Sequence, residues 1–220
     1  MPAPVCGYYT RLIASITEFY LRPLCNEILA AFLFPADILD LGTGTGQLPI
    51  MLAQGNSGYR VTGIDLSETG LRLAREQAVR AAVADRVQFV RANIEKGSPE
   101  LRAADLVVST CSLHHWRHPV RMLRGAARLL KENGEIWLVD DFAEVANEAR
   151  RRWVARVESA AHAGWLFRTV FQFESRFLAY SRTEIETMCR RAGLCIVEFR
   201  TRDVFFQARI LPVRSIRTSL

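Results

Sequence analysis

Glycine and polar residues recur directly after short apolar runs in the middle of this sequence: Asp40-Leu41-Gly42-Thr43-Gly44-Thr45-Gly46, Asp65, Asn93, Ser109-Thr110, His114-His115 and Asp140-Asp141. Alternating glycines let backbone approach a ligand closely at the start of a helix, where a side chain would collide and free N–H groups point outward. Glycine also makes tight turns in proteins that bind nothing, but a following apolar run that ends in Asp65 favours the ligand reading. Asp65, about 20 residues after the loop, suits hydrogen bonds from a ribose diol. It can serve at the same time at the start of the helix that Ser67 precedes. His114 and His115 are candidate general bases, because histidine is the residue type whose unperturbed pKa, ~6.5, lies near neutral pH. In the other reading one histidine shapes a pocket and its neighbour caps a helix, and residue types alone lean slightly that way. Asp140 and Asp141 have the form of a metal pair, yet no third ligand is identifiable. Substrate contact or helix capping is their expected use, and no metal is expected.

These residues need elements that bring strand ends together. Apolar runs alternate with helical periodicity, the pattern of βαβ units. Strands are predicted over Ile38–Leu41, Tyr59–Ile64, Val87–Val90, Asp105–Ser109 and Glu135–Val139, with helices over Gln47–Gln54, Glu68–Ala82 and Pro119–Lys131. The third helix has Pro119 in its first turn and Asn133-Gly134 as its stop signal. Upstream, Leu12, Ile16, Phe19 and Tyr20 share one helical face, Pro23 interrupts it, and Leu24, Ile28 and Phe32 form a second face before Pro35. Downstream, an arginine-rich helix is predicted from roughly Ala143 to Ala163. The aromatic stretch Trp165–Tyr180 has no assigned conformation. Ser181-Arg182-Thr183-Glu184 reads as a capping box that opens a helix ended by Gly193. Two closing runs, Cys195–Phe199 and Val204–Ile210, are joined by a turn too short for a parallel crossover, so they must pair as an antiparallel hairpin. The expected fold is α/β: a doubly wound, Rossmann-like, seven-stranded sheet, mostly parallel, with an antiparallel C-terminal hairpin. Ligands of such sheets sit beyond the carboxyl ends of the strands, where the residues named above fall.

The segment Ile38 to Gly46 resembles the first motif of class I S-adenosylmethionine-dependent methyltransferases, and Val61 to Ser67 resembles their second strand with its ribose-binding acid. Asp105–Ser109 is similar to their fourth strand, Leu113-His114-His115-Trp116 to the loop after it, and Leu130–Ile136 to the turn into the fifth. In this order and spacing, over about Ile38–Asp141, the motifs are specific. The resemblance implies S-adenosylmethionine as cofactor, with Asp40, Gly42, Gly44 and Gly46 facing its methionine part, Asp65 holding the ribose and Leu66 lying against adenine. Asn93 with Ile94 occupies the place where many relatives accept a hydrogen bond from the adenine amino group through an acidic residue; an asparagine carbonyl can do the same. Ser109 is counted with the cofactor-binding residues. Glu132-Asn133-Gly134 departs from the common Pro-Gly-Gly, in a turn remote from chemistry. Tyr8 and Tyr9 are candidates to cover the site.

A length of 220 residues suits one domain, over 1–220, which is expected to divide into an N-terminal cover (1–36), a cofactor-binding core (37–141), a variable acceptor region (142–180) and a closing helix and hairpin (181–220). In-line methyl transfer to a small-molecule acceptor is expected, with a base needed only if the acceptor keeps its proton at neutral pH. The methylated atom stays open. An RNA or DNA methyltransferase is the alternative, but Ser109-Thr110-Cys111-Ser112 lacks the Asn-Pro-Pro-Tyr or Pro-Cys motifs of those enzymes. A non-catalytic cofactor-binding accessory protein is the third reading.

Composition bounds the remainder. At 220 residues, 50% apolar and 24% charged, the chain is of ordinary globular make-up. Its five cysteines are odd in number and form no C-x-x-C pair, which suggests neither a disulfide framework nor a zinc site. The net charge of +6 rests almost wholly on arginine, Lys96 and Lys131 being the only lysines. That charge raises the prospect of an anionic partner only modestly, and no specific nucleic acid is expected. With no secretory pattern and no membrane-length apolar run, a cytoplasmic protein without membrane association is expected. Gly42-x-Gly44-x-Gly46 is not the dinucleotide fingerprint, because position 47 is Gln47. The Tyr-x-x-x-Lys pair of short-chain dehydrogenases is absent, since Ala92 and Ala127 stand four residues before the two lysines.

Overall fold

The computed structural model describes residues 17–96, 101–161 and 178–213. Asp37–Leu41 (β1) is buried from its second residue onward, as a strand covered on both faces must be. It pairs in parallel with Arg60–Asp65 (β2) on one side and Ala104–Thr110 (β4) on the other. Val87–Arg91 (β3) continues the sheet beyond β2, and Leu130–Asp141 (β5) continues it beyond β4, both in parallel. Leu194–Arg202 (β6) and Phe205–Pro212 (β7) form the hairpin, with β7 inserted antiparallel between β5 and β6. The order β3-β2-β1-β4-β5-β7-β6 reverses direction between β1 and β4. Chain crossovers diverge at that point and leave a crevice above the carboxyl ends of the two strands.

Alternation along the strands divides the interior into two apolar layers. Ile38, Val61, Leu106 and Trp137 meet Arg22–Ala31 (α1), Gln47–Gly55 (α2), Glu68–Arg80 (α3) and Asn147–Ala161 (α5) through Ile28, Leu52, Leu71 and Val157. Leu39, Ile64, Val107 and Ile136 face Pro119–Arg128 (α4) and Arg182–Ala192 (α6) through Leu123 and Ile185. Each such side chain, fully buried, contributes roughly 1.5–3 kcal/mol of transfer free energy. Among the described residues no helix is long and apolar enough to cross a membrane.

Among the boundaries that differ from those read in the sequence, three show what displaced them. Helix α4 ends at Arg128, not Lys131, and β5 begins at Leu130 rather than Glu135. The cause is the sheet: Ala104 donates to the Leu129 carbonyl (2.7 Å) and pairs with Leu130, so strand pairing claims backbone that the apolar period assigns to a helix. Asn133-Gly134 therefore caps nothing. Gly134 lies where a Cβ would come within 2.7 Å of the Ala104 carbonyl oxygen, beside the irregularity between Ala104 and Leu106. Helix α5 starts at Asn147, not Ala143, because Phe142 and Ala143 donate to the carbonyls of Val204 and Tyr180. The Arg150 guanidinium then collects the carbonyls of Phe142, Ala143 and Val145. Pro23, finally, interrupts nothing: a π-helical turn, Thr17–Leu21, runs straight into α1, and Pro23 sits in the first turn, where a missing N–H is harmless. The positions of Leu12 and Ile16, and of most of the aromatic stretch, fall outside the described residues.

Candidate active site

The glycine loop leaves β1 with Gly42, Gly44 and Gly46 all at positive φ, +76°, +56° and +81°. The three differ in what surrounds them. A Cβ on Gly42 would lie 2.0 Å from Ser112 Oγ, and one on Gly46 would lie 2.7 to 2.8 Å from the Phe89 ring and Ala74. Close packing thus requires both. At Gly44 a Cβ would meet nothing within 4 Å, so this residue borders open space. The Asp65 carboxylate holds the loop, Oδ2 accepting from Gly44 N (2.8 Å) and Oδ1 from Ser67 N (2.8 Å). Ser67 is the N-cap of α3 and accepts from Gly70 N. Leu66, next to Asp65, is 62% exposed.

Asp40 lies beneath this loop, 2% exposed, and neither its Oδ1 nor the buried Thr43 Oγ1 has a well-formed hydrogen bond. Burial pushes the Asp40 carboxyl up to about 7; the nearby Thr43 hydroxyl draws it down and the Asp65 charge adds to the rise. Ser109, at the end of β4, donates to the Leu41 carbonyl (2.9 Å) and ties β4 to β1 where the glycine loop starts. Asn93 accepts from Glu95 N through the same carbonyl oxygen (3.0 Å) that would serve an adenine amino group, leaving one lone pair for it. Ile94 is buried in the layer beneath α4, where a Cβ on Gly125 would come within 2.5 Å of its carbonyl oxygen.

Parallel pairing of Thr110 with Val139 brings the chain that leaves β4 alongside the end of β5. There the one-turn helix Leu113–His115 meets Asp140. His114 Nδ1 stands 2.5 Å from Asp140 Oδ1, with the two side chains 5% and 1% exposed. Leu113 N donates to Asp140 Oδ2 (2.7 Å) and Asp141 N to Oδ1 (2.8 Å). Facing a carboxylate, Nδ1 is the nitrogen assigned the hydrogen. His115 is exposed, its ring centroid 4.0 Å from that of His114. Asp140 therefore orients His114, a use not foreseen for it, since the contact crosses from one strand end to the next. Asp140 lies at the carboxyl end of β5 and His114 just beyond the carboxyl end of the adjacent parallel strand β4, which is the signal that could have paired them.

Tyr20 also enters the site, although the sequence marks it only as part of an apolar face. Its hydroxyl donates to the Val139 carbonyl (3.2 Å) and its ring packs on Phe205 at 4.3 Å. Burial, then the Cys111 thiol and the Asp140 and Asp141 charges, raise that hydroxyl well above its ordinary value. Cys111 itself holds φ +44°, a left-handed conformation uncommon outside glycine. On the far side, burial and the Asp140 and Glu184 charges raise the Tyr180 hydroxyl. Tyr8 and Tyr9 lie outside the described residues.

A doubly wound sheet with an antiparallel strand inserted beside β5, a glycine loop at the switch point and an acid ending β2 together define the class I fold of S-adenosylmethionine-dependent methyltransferases. The family model described as a methyltransferase domain matches residues 36–192, and the chain belongs to that family. It is 38% identical over 104 residues to the 27-O-demethylrifamycin SV methyltransferase of Amycolatopsis mediterranei, covering 47% of this chain and 38% of that one. To the ubiquinone biosynthesis O-methyltransferase of Paracidovorax citrulli it is 29% identical over 164 residues, 74% of this chain and 65% of the relative. The chain thus spans under two thirds of the length of either. Among solved structures, an O-methyltransferase (NcsB1) from neocarzinostatin biosynthesis, in complex with S-adenosylmethionine and 2-hydroxy-5-methyl naphthoic acid, shares the fold. Its TM-score is 0.66 at 17% identity, covering 96% of this chain and 58% of that one. The residues present here fit S-adenosylmethionine: Gly44 offers backbone to open space, and Asp40 and Thr43 bring unmatched buried oxygens to the loop that a cationic, hydrogen-bond-donating ligand would meet.

Proposed function

We propose that this chain methylates a hydroxyl of a small-molecule acceptor, with His114 as general base and Asp140 as the residue that positions it. S-adenosylmethionine, when bound, supplies a methyl group activated by its sulfonium and leaves a neutral thioether. Gly44 and Asp40 would hold its methionine end, Asp65 the ribose and Leu66 the adenine face. A phenol or alcohol keeps its proton at neutral pH, so its oxygen becomes a strong nucleophile only as that proton departs. With the Nδ1 hydrogen directed at Asp140, the basic lone pair of His114 belongs to Nε2. His114 Nε2 would take the proton of the acceptor hydroxyl, and the buried Asp140 carboxylate would stabilise the imidazolium that forms. The N–H groups of Leu113 and Asp141 already hold that carboxylate, so little reorganisation accompanies the step. Holding nucleophile, methyl and sulfur in line contributes up to ~7–11 kcal/mol in favourable cases.

The observation that carries this reading is the 2.5 Å contact between His114 and Asp140, two residues beyond Ser112, whose side chain lies against Gly42. The names of the two relatives, both O-methylating, support oxygen as the methylated atom. A second reading, in which His114 only shapes the pocket, draws on its side chain being 5% exposed. Hydroxylated metabolites, phenolic ones first, are screened by release of S-adenosylhomocysteine. His114→Ala is then measured against pH with the acceptor found. A base predicts kcat lower by ~10²–10⁴, cofactor Kd nearly unchanged and loss of the acidic limb of the pH profile. A pocket-shaping residue predicts weakened binding with the limb retained.

A further inference from the structure

We propose that Asp40 is a proton-linked counter-ion, which keeps its proton in the empty pocket and gives it up when the cofactor's α-ammonium arrives, so that cofactor affinity is set by pH. The inference rests on placing the S-adenosyl cofactor at the glycine loop.

Asp40 is the penultimate residue of β1, on the face covered by α2, 2% exposed, with Oδ1 lacking a hydrogen bond. Its register partners are Gly63 on β2 and Val108 on β4, neither titratable. Helix α2, Gln47–Gly55, carries no ionisable side chain. From α3, Arg75 is engaged by Glu68 and the Phe89 carbonyl. The charged group that acts on Asp40 is Asp65, of the same sign. Among the described residues no ion pair to Asp40 is formed, so its carboxylate would be a buried anion beside another anion. Such a group ionises reluctantly, and this carboxyl titrates at about 7 rather than in the ordinary acid range.

A ligand that carries an ammonium reverses the balance. The proton leaves the Asp40 O–H for the buffer, the carboxylate pairs with the ammonium, and no other bond changes. The sign follows by linkage: a ligand that binds the deprotonated form must expel a proton below the free-pocket value and need not above it. Affinity therefore rises with pH, by up to ~tenfold per unit below pH 7, and levels off above. The same device favours S-adenosyl compounds that keep the amino acid end over thioadenosines that lack it.

Isothermal titration of S-adenosylhomocysteine in phosphate and in Tris, from pH 6 to 8.5, reads the released proton as a buffer-dependent heat. The expected result is close to one proton released near pH 6, about half near pH 7 and almost none at pH 8.5. Asp40→Asn is expected to bind more weakly, with that release abolished. The variant separates the proton released by Asp40 from any released elsewhere in the protein. Because a buried substitution can impair folding, 5′-methylthioadenosine, which has no ammonium, is titrated into the unaltered protein and should bind without proton release. Equal release with both ligands, release retained in Asp40→Asn, or binding of S-adenosylhomocysteine with no buffer-dependent heat would overturn the linkage while leaving the cofactor site intact. Absence of any binding would overturn the cofactor assignment and the linkage with it.

Discussion

Gly44 and Gly46 look alike in the sequence and differ in the structure, and the difference can be measured. An added methyl at Gly46 strikes the Phe89 ring and Ala74, so Gly46→Ala should destabilise the fold by the ~1–3 kcal/mol typical of overpacking. The methyl of Gly44→Ala meets open space and costs only the left-handed φ of +56°, about 1–2 kcal/mol. It should nevertheless abolish stabilisation by S-adenosylhomocysteine in a thermal melt, because the space it enters is the one proposed for the cofactor. Asp140→Asn tests the base from its supporting side. An amide can turn either end to Nδ1 and permit the wrong tautomer, so kcat should fall by on the order of 10²–10⁴ with cofactor Kd unchanged. A fall in cofactor affinity instead would make Asp140 a structural residue of the pocket. Asp40 adds a pH signature to stability. Folding raises its carboxyl from 3.8 to about 7, so its favourable contribution is complete below the unfolded value and is lost as pH rises through the folded one. Relative to the unaltered protein, the melting temperature of Asp40→Asn should therefore climb between pH 4 and 7 and level off above. The glycines, Asp65 and the histidines were legible as chemistry because each follows a short apolar run. The pairing of His114 with Asp140 was not, since it depends on the register that sets Thr110 beside Val139.

At the scale of elements, local signals succeeded where they act locally. Ser181 and Glu184 form the reciprocal cap foreseen for them, Ser181 N donating to Glu184 Oε2 (2.8 Å) and Glu184 N to Ser181 Oγ (3.3 Å). Gly193 ends the helix in the left-handed conformation, φ +79°. Ser181→Ala should accordingly lower the denaturation free energy by ~1 kcal/mol, read from the urea midpoint. It should leave cofactor affinity unchanged. Signals that compete with the sheet failed. Leu129 and Leu130 keep the apolar period of α4, yet Ala104 takes the Leu129 carbonyl and pairs with Leu130, so the helix stops and β5 begins. Phe142 and Ala143 similarly belong to backbone pairing with Val204 and Tyr180 before any helix can start. A periodic pattern reports which face of a segment is apolar and is silent on which neighbour takes its N–H groups.

On the scale of the molecule's surface, arginines of two neighbouring helices gather on one exposed face. Arg121, Arg124 and Arg128 are exposed on α4, and Arg190 and Arg191 on the adjoining α6, with Arg124 donating to the Arg191 carbonyl (2.6 Å). Such a face attracts phosphates without reading bases, so duplex DNA or RNA should bind weakly, with affinity falling steeply between 50 and 200 mM salt, ranges typical of backbone contacts of ~6–10 phosphates. Tight, sequence-dependent binding at physiological salt would instead favour a nucleic-acid acceptor. The parallel sheet was legible because strands buried on both faces stand out as continuous apolar runs. The surroundings of Asp140 were not, because Tyr20, Tyr180 and Cys111 come near it from three separate stretches of chain and by backbone routes no pattern specifies. The central claim, that the crevice above β1 and β4 is an S-adenosyl site, is tested most directly by the melting temperature with S-adenosylhomocysteine, S-adenosylmethionine, NAD and NADP in turn. A ligand that binds only the folded state at 100 times its Kd stabilises it by ~2.7 kcal/mol. Both sulfur compounds should raise the melting temperature accordingly and the nicotinamide cofactors should not; a rise with NAD or NADP and none with the S-adenosyl compounds would contradict the account.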